Sequence, residues 1–357
     1  MALQANRPLP DSYRLGELTI EKVLSSGGFS IVYLARDDRW GPFVIKEFLP
    51  TGIAERHIGD QVVIIEGKQG LFNRGLRSFM DEAAALARVD HPNIVRVKDF
   101  FRGNGTAYMV MQHMRGRTLQ FHIHAQRSRL DERFLRTFFL RLLNGLREVH
   151  LRRLLHLDIK PANILLGVDG QPLLLDFGAV RNALDEAEPQ VKSVLTEGFA
   201  APEQHAGDAG LGPWTDIYAV GATLYSCLAG HPPPSARVRL REDRLVPASV
   251  KFYGRCSSEL LATIDWCLEL EALKRPQSVY ALQRALQDGT GVPRSPLQQL
   301  RRRRWSLRMI MGRMRGLVSS GLHGVSALVS RQAPQPGAAP SKPPESPNDA
   351  IKSTRRQ

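Results

Sequence analysis

The spacing of apolar positions divides this chain in two. From Tyr13 to Gln112 apolar residues alternate or run in short blocks, and the text reads mostly as strands. Residues 19–24 and 31–35 predict two strands around a glycine-containing turn, and 43–46 predict a third. Residues 78–89 break the pattern: Phe79, Ala83, Leu86 and Val89 recur at helical spacing. His91-Pro92-Asn93 ends that helix, because the residue before a proline is pushed out of the helical region. Residues 95–101 and 107–112 predict two further strands, split by the turn Gly103-Asn104-Gly105. Beyond Gln112 the period lengthens. Residues 134–151 carry apolar side chains at 134, 135, 138, 139, 142, 143, 146 and 149, a long buried helix face. Residues 214–228, 258–268 and 279–286 predict later helices. The expected class is α+β, with a short arm (1–12), a small β-rich part (13–112) and a larger α-rich part (113–288).

Composition adds little for residues 1–289 and much for the rest. Hydrophobic content of 43% and charged content of 24% are ordinary for a globular protein. Cys227, Cys256 and Cys267 form no C-x-x-C pair and no zinc spacing, which predicts reduced structural thiols and a cytoplasmic protein. Neither a signal peptide nor a long apolar membrane span is expected. Net charge is +14, but residues 290–357 hold thirteen basic and two acidic side chains, so +11 of it belongs to this tail.

The chemistry-bearing residues come in an ordered set. His156-Leu157-Asp158-Ile159-Lys160-Pro161-Ala162-Asn163 places a carboxylate, an amine and an amide within one short loop, and Asp176-Phe177-Gly178 follows 18 residues past Asp158. Asn163 and Asp176 offer hard oxygen donors of the kind magnesium takes. Asp158 adds a carboxylate and Lys160 a cation to the same loop.

These motifs resemble the H-R-D-x-x-x-x-N and D-F-G loops of protein kinases. Over 13–288 the chain is similar to bacterial serine/threonine protein kinases of the eukaryotic-like type, and Pro202-Glu203-Gln204 fits a bacterial origin. The resemblance implies a two-lobed kinase fold with ATP between the lobes and magnesium, or manganese, as the ion. It implies that Asp158, Lys160, Lys46 and Glu82 are the catalytic group, with Glu82 the ion-pair partner of Lys46. Asn163 and Asp176 would hold the metal. Leu24-Ser25-Ser26-Gly27-Gly28-Phe29-Ser30-Ile31-Val32 resembles the glycine-rich phosphate loop, with Ser25 and Ser30 in place of the outer glycines. Val44 and Met111 would border the adenine, Val32 and Leu165 sandwich it, and the backbone of Gln112 and Met114 bond its edge. Glu203 and Arg275 match the family's structural ion pair, and Asp216 its brace on the catalytic loop. Thr196 matches the threonine of serine/threonine-specific members, and Ser193 and Thr196 lie in the activation segment.

Three features depart from the pattern. Residues 47–75 look inserted, with an extra hairpin strand at 61–65. Leu157 replaces the arginine that receives the phosphate of an activated loop, which predicts activity independent of loop phosphorylation. The tail at 301–331 alternates arginine with apolar residues at helical spacing. Such a tail suits an anionic membrane surface, which would make the protein peripheral at the inner membrane, or an acidic protein partner. It also reads as a disordered basic linker, whereas nucleic acid is disfavoured for want of any reader motif. Protein serine and threonine side chains are the implied substrates. The rival reading is a catalytically weak or silent kinase fold that binds nucleotide and a partner, motivated by Ser25, Ser30, Val44 and Leu157.

Overall fold

The computed structural model describes residues 7–39, 41–57, 59–125, 130–177, 196–205 and 210–288. Gly178, Ser193 and the 301–331 tail lie outside them.

The β-rich part is a six-stranded antiparallel sheet. Its strands are β1 (Arg14–Leu15), β2 (Leu18–Ser26), β3 (Ser30–Asp37), β4 (Gly41–Phe48), β7 (Val97–Gly103) and β8 (Thr106–Gln112), in the order β1-β2-β3-β4-β8-β7. Between β4 and β7 lie a small antiparallel hairpin, β5 (Ala54–Arg56) with β6 (Val62–Ile64), and helix α1 (Gln69–Ala87). Helix α1 starts nine residues before the predicted Ser78. Its upstream turns hold because Leu71, Phe72 and Leu76 bury a continuous face, with the Phe72 and Phe48 rings 5.3 Å apart. The stretch 47–75 therefore holds the last two residues of β4, a hairpin and the start of α1.

Register decides which side chains share a face. Val32 pairs with Lys46, Val44 with Met111 and Lys46 with Met109. Because side chains alternate along a strand, these residues line one face, while Tyr33, Ile45, Glu47 and Tyr108 line the other.

The α-rich part is built on α3 (Glu132–Leu151) and α4 (Pro213–Ala229). Asp131 caps α3 by accepting from the Phe134 amide at 2.7 Å, and Leu135, Phe138, Phe139, Leu142, Leu143, Leu146 and Val149 form the buried face. Helix α4 is apolar on nearly all sides and sits in the centre of this core. Gly221 lets it meet the next layer closely, since a Cβ there would lie 2.4 Å from the Cys267 Cβ. Around it stand α2 (Leu119–Ala125), α5 (Ala236–Arg241), α6 (Ala248–Lys251), α7 (Ser258–Cys267) and α8 (Val279–Asp288). Three short strands, β9 (Gly116–Thr118), β10 (Ile164–Gly167) and β11 (Pro172–Leu174), make a sheet ordered β11-β10-β9 under the loops of the site. Sequence periodicity does not resolve these three strands, because none exceeds two alternations.

One buried ion pair closes this part. Arg275 grips Glu203 through two bonds of 2.7 and 3.0 Å, donates to the carbonyls of Trp214, Glu269 and Leu270, and stacks over Tyr218 at 4.9 Å. Thr215 donates its hydroxyl to the same carboxylate at 2.9 Å. Removing only one charge strands the other in a dry interior. Arg275→Met should therefore lower unfolding stability by about 3–5 kcal/mol in urea titration, and Glu203→Met added to it should recover part of the loss. An Arg275→Met midpoint equal to wild type would contradict this account.

Candidate active site

The site forms where the two parts meet, from side chains on five separate elements. On β4, Lys46 faces the junction, with its ammonium 3.6 Å from the Glu82 carboxylate on α1 and 3.2 Å from Asp176 Oδ1. Lys46 and Glu82 are both buried. Burial opposes the Lys46 charge, yet the carboxylates of Asp176 and Glu82, with Asp158 further off, hold the ammonium above its ordinary range.

Asp158 is the hub of a second cluster. Lys160 Nζ donates to both of its oxygens, at 3.1 and 2.8 Å, and to Thr196 Oγ1 at 2.9 Å. Thr196 in turn donates to Asp158 Oδ1 at 3.2 Å. Asn163 Nδ2 donates to the Asp158 backbone carbonyl and to its Oδ2, each at 2.9 Å. Because its amide nitrogen is engaged in this way, the Asn163 oxygen is the atom left for a cation. A small pocket beside Asp158 is lined by Leu157, Ile159, Thr196, Phe199, Ala200 and Ala219.

The loop that carries Asp158 is held from beneath. Asp216, fully buried on α4, accepts from the amides of His156 and Leu157 at 2.9 and 2.8 Å and bonds His150 Nε2 at 2.7 Å. Burial works against the Asp216 charge, but the hydrogen bond and charge of His150, with His156, keep its carboxyl below the usual range. Leu157 adopts φ +63°, a left-handed conformation unfavourable for a branched side chain. Its amide is held by Asp216 and its carbonyl by Gln204 Nε2 at 2.9 Å, so the strained residue is fixed at both ends. Asp176 is left-handed as well, at φ +35°. His156 is buried and stacks on Phe177 with centroids 4.3 Å apart. Its Nδ1 receives the Asp158 amide at 3.3 Å, so Nε2 carries the proton and donates to the Leu175 carbonyl at 2.8 Å.

The residues read as a nucleotide pocket sit around the same junction. Met111 is buried, Val32, Val44, Met114 and Leu165 are half-buried, and Gln112 is exposed. Leu24, Ser25, Ser26, Gly27 and Gly28 are exposed at the β2–β3 turn, with Phe29 and Ser30 half-buried. Two contributors went unnoticed in the sequence, His150 and Gln204. Gln204 adjoins a motif and was within reach. His150 lies at the end of α3, and no spacing rule marks it.

The family model described as "Protein kinase domain" matches residues 18–287. Serine/threonine-protein kinase PknB of Mycobacterium tuberculosis is 30% identical over 286 residues, covering 76% of this chain and 41% of that protein. Probable serine/threonine-protein kinase PknB of Bifidobacterium longum is 29% identical over 237 residues, covering 63% of this chain and 32% of that protein. The chain thus spans under half the length of these curated relatives. Among solved structures, the one described as "PpkA-294 apo form" superposes with a TM-score of 0.72 at 37% identity, covering 78% of this chain and 99% of that one.

The buried groups of the loop predict a pH response. Burial pulls His156 below its ordinary range. As pH falls through about 6.5, the unfolded chain takes up a proton at this position that the folded chain refuses, so stability drops. Asp216, also depressed, adds a further loss only below the ordinary carboxylate range. His91, His113 and His205 are likewise depressed by burial, so the informative comparison is with His156→Gln. Denaturation midpoints measured from about pH 7.5 to 5 should fall more steeply for wild type, by up to about 1.4 kcal/mol per pH unit. Equal slopes would show that His156 is protonated equally in both states.

Proposed function

The chain belongs to the protein kinase domain family, and on that premise we propose that it transfers the γ-phosphate of ATP to serine and threonine hydroxyls of proteins. The observation that carries this reading is the Asp158 cluster: one carboxylate bonded at once by Lys160, Asn163 and Thr196. Asp158 orients the acceptor hydroxyl and receives its proton as the oxygen attacks. Lys160, 2.8 Å from that carboxylate, balances charge on the phosphoryl group in flight. Lys46, held by Glu82, neutralises the α- and β-phosphates. Thr196, bonded to both Asp158 and Lys160, supports the serine/threonine class.

The donor set suits magnesium. An amide oxygen from Asn163 and a carboxylate from Asp176 are hard ligands, and an ion that keeps several waters and phosphate oxygens needs no larger protein cage. Bound there, the ion would neutralise the β- and γ-phosphate charge; manganese fits the same donors. Among the described residues no cluster of three or more His, Cys, Asp or Glu offers a competing metal cage. The β2–β3 turn fits phosphate. Neither Gly27 nor Gly28 has positive φ, and a Cβ on Gly28 would meet nothing within 4 Å, so the backbone itself makes no demand for glycine there. The Gly27 amide is engaged by the Ser30 carbonyl at 2.9 Å, and the open space beside Gly28 leaves room for a ligand to approach the backbone.

Val32, Val44, Met111 and Leu165 supply the adenine walls, with Gln112 and Met114 at the edge. Protein substrates approach on the side of the Leu157–Ala200 pocket. A role in bacterial signalling is part of this reading, and the bacterial serine/threonine-protein kinases among the relatives support it. No described helix is long and apolar enough to cross a membrane.

Two outcomes are expected from γ-labelled ATP with magnesium and a generic protein acceptor. Wild type transfers label to serine or threonine, and Asp158→Asn and Lys46→Met each lose it, by on the order of 10³-fold or more. ATP-dependent thermal stabilisation without any transfer would instead favour the silent-scaffold reading. Because Leu157 has no charge to receive a loop phosphate, phosphatase-treated enzyme and Ser193→Ala should keep wild-type kcat. A parallel loss of activity in both would refute that independence.

A further inference from the structure

On β4, Lys46 is followed by Glu47, and successive side chains point to opposite faces of the sheet. Glu47 is fully buried on the face away from the site. There it forms an ion pair with Arg56 of β5 and accepts from the Tyr33 hydroxyl at 2.7 Å. Both side chains of the pair are completely excluded from solvent. Arg56 also donates to the backbone carbonyl of Arg7 at 3.1 Å, and to that of Asp60. The Leu9 amide donates to the Tyr33 hydroxyl at 3.0 Å. No step of the phosphoryl transfer described above uses any of these groups.

The same segment reaches the other working parts of the small lobe. The Thr51 amide donates to the Gly28 carbonyl at 2.8 Å, and the Leu49 amide to the Phe29 carbonyl at 3.0 Å. The β2–β3 turn, where the phosphates are placed, is therefore tied down by its backbone. The Val62 amide donates to the Asn104 carbonyl at 2.8 Å, which joins the hairpin to the β7–β8 turn. Phe48 packs against Phe72 and Phe79, with centroids 5.3 and 5.8 Å apart, and Phe79 lies one helical turn before Glu82 on α1.

A buried ion pair contributes little stability that a well-packed apolar pair would not, and its best-attested use is to fix register. A slip of one residue in β4 would exchange the faces of Lys46 and Glu47. We infer that residues 49–68 act as a built-in brace, in which the Arg56–Glu47 pair is a positioning element. It fixes Lys46 on the site face and holds the phosphate turn and α1 in working position without an activating signal. The inference rests on the kinase reading for its functional meaning, and on the geometry alone for the brace. It also accounts for the tolerance of Ser25 and Ser30: a turn tethered through Gly28 and Phe29 has less use for the flexibility of three glycines.

The test uses the full chain with Glu47→Met/Arg56→Met, the charge swap Glu47→Arg/Arg56→Glu, and Thr51→Pro. Thr51 is the second residue of the turn closed by the Ile53 amide on the Pro50 carbonyl, a position that accepts proline, so this variant deletes only the tether to Gly28. Melting temperature, amide exchange across β4 and α1, KM for ATP and kcat are measured for each. The double methionine variant should stay folded, exchange faster over α1, and lose kcat/KM by up to the order of 10²-fold. The charge swap should regain part of that loss, which a purely packing role would not produce. Thr51→Pro should raise KM for ATP several-fold with kcat retained. Wild-type kinetics and exchange in the double methionine variant would overturn the brace. If that variant does not fold, an unchanged KM in Thr51→Pro overturns it instead. If wild type transfers no phosphate at all, the kinase reading falls, while faster α1 exchange in the variants still supports the brace.

Discussion

A single buried carboxylate organises the chemistry. Asp216 sits on a helix with no solvent around it, and three donors converge on its two oxygens: the amides of His156 and Leu157 and the ring of His150. An ionised group in that setting is tolerable only when its lone pairs are engaged. The loop has to present those amides, which forces Leu157 into a left-handed conformation that an L side chain resists. Asp158 follows immediately, and its direction is inherited from this bend. The apolar core of the α-rich part therefore reaches the reacting groups through one side chain.

From there a continuous path of contacts crosses into the β-rich part. His156 is bonded to Asp216 through its amide and stacks on Phe177, which belongs to the core of the small lobe. Next to Phe177, Asp176 meets the Lys46 ammonium, and Lys46 meets Glu82. Each charge along this path is partly or wholly out of water, so each is stronger than on a surface and depends more on its partner. An arrangement of this kind needs little reorganisation when a charged substrate arrives, which is what electrostatic catalysis requires.

The departures from the family pattern are coherent when taken together. Leucine at 157 removes a receptor for a loop phosphate, and the outer glycines of the phosphate loop are gone. Between β4 and α1 stands a segment whose Arg56 pairs with Glu47 of the lysine strand, and whose Leu49 and Thr51 amides bond the β2–β3 turn.

Local and motif-borne features could be read along the chain. The strands to Gln112, the face of α3, and the candidate set Lys46, Asp158, Lys160, Asn163 and Asp176 were legible, because alternation, helical period and short spacings are properties of neighbouring residues. The first turns of α1 were not, since Leu71 and Phe72 become a helix face only when Phe48 is there to cover them. The three short strands beneath the site were hidden for want of enough residues to alternate. The bonds of His150 to Asp216 and of Gln204 to Leu157 were not legible, because the partners lie 66 and 47 positions away. Glu47 makes the point most plainly. In the sequence it is only the first residue of the stretch that looks inserted, and the fold alone decides that Arg56 meets it in a dry interior. Desolvation by distant segments changes what a charge is worth, and no local pattern records it.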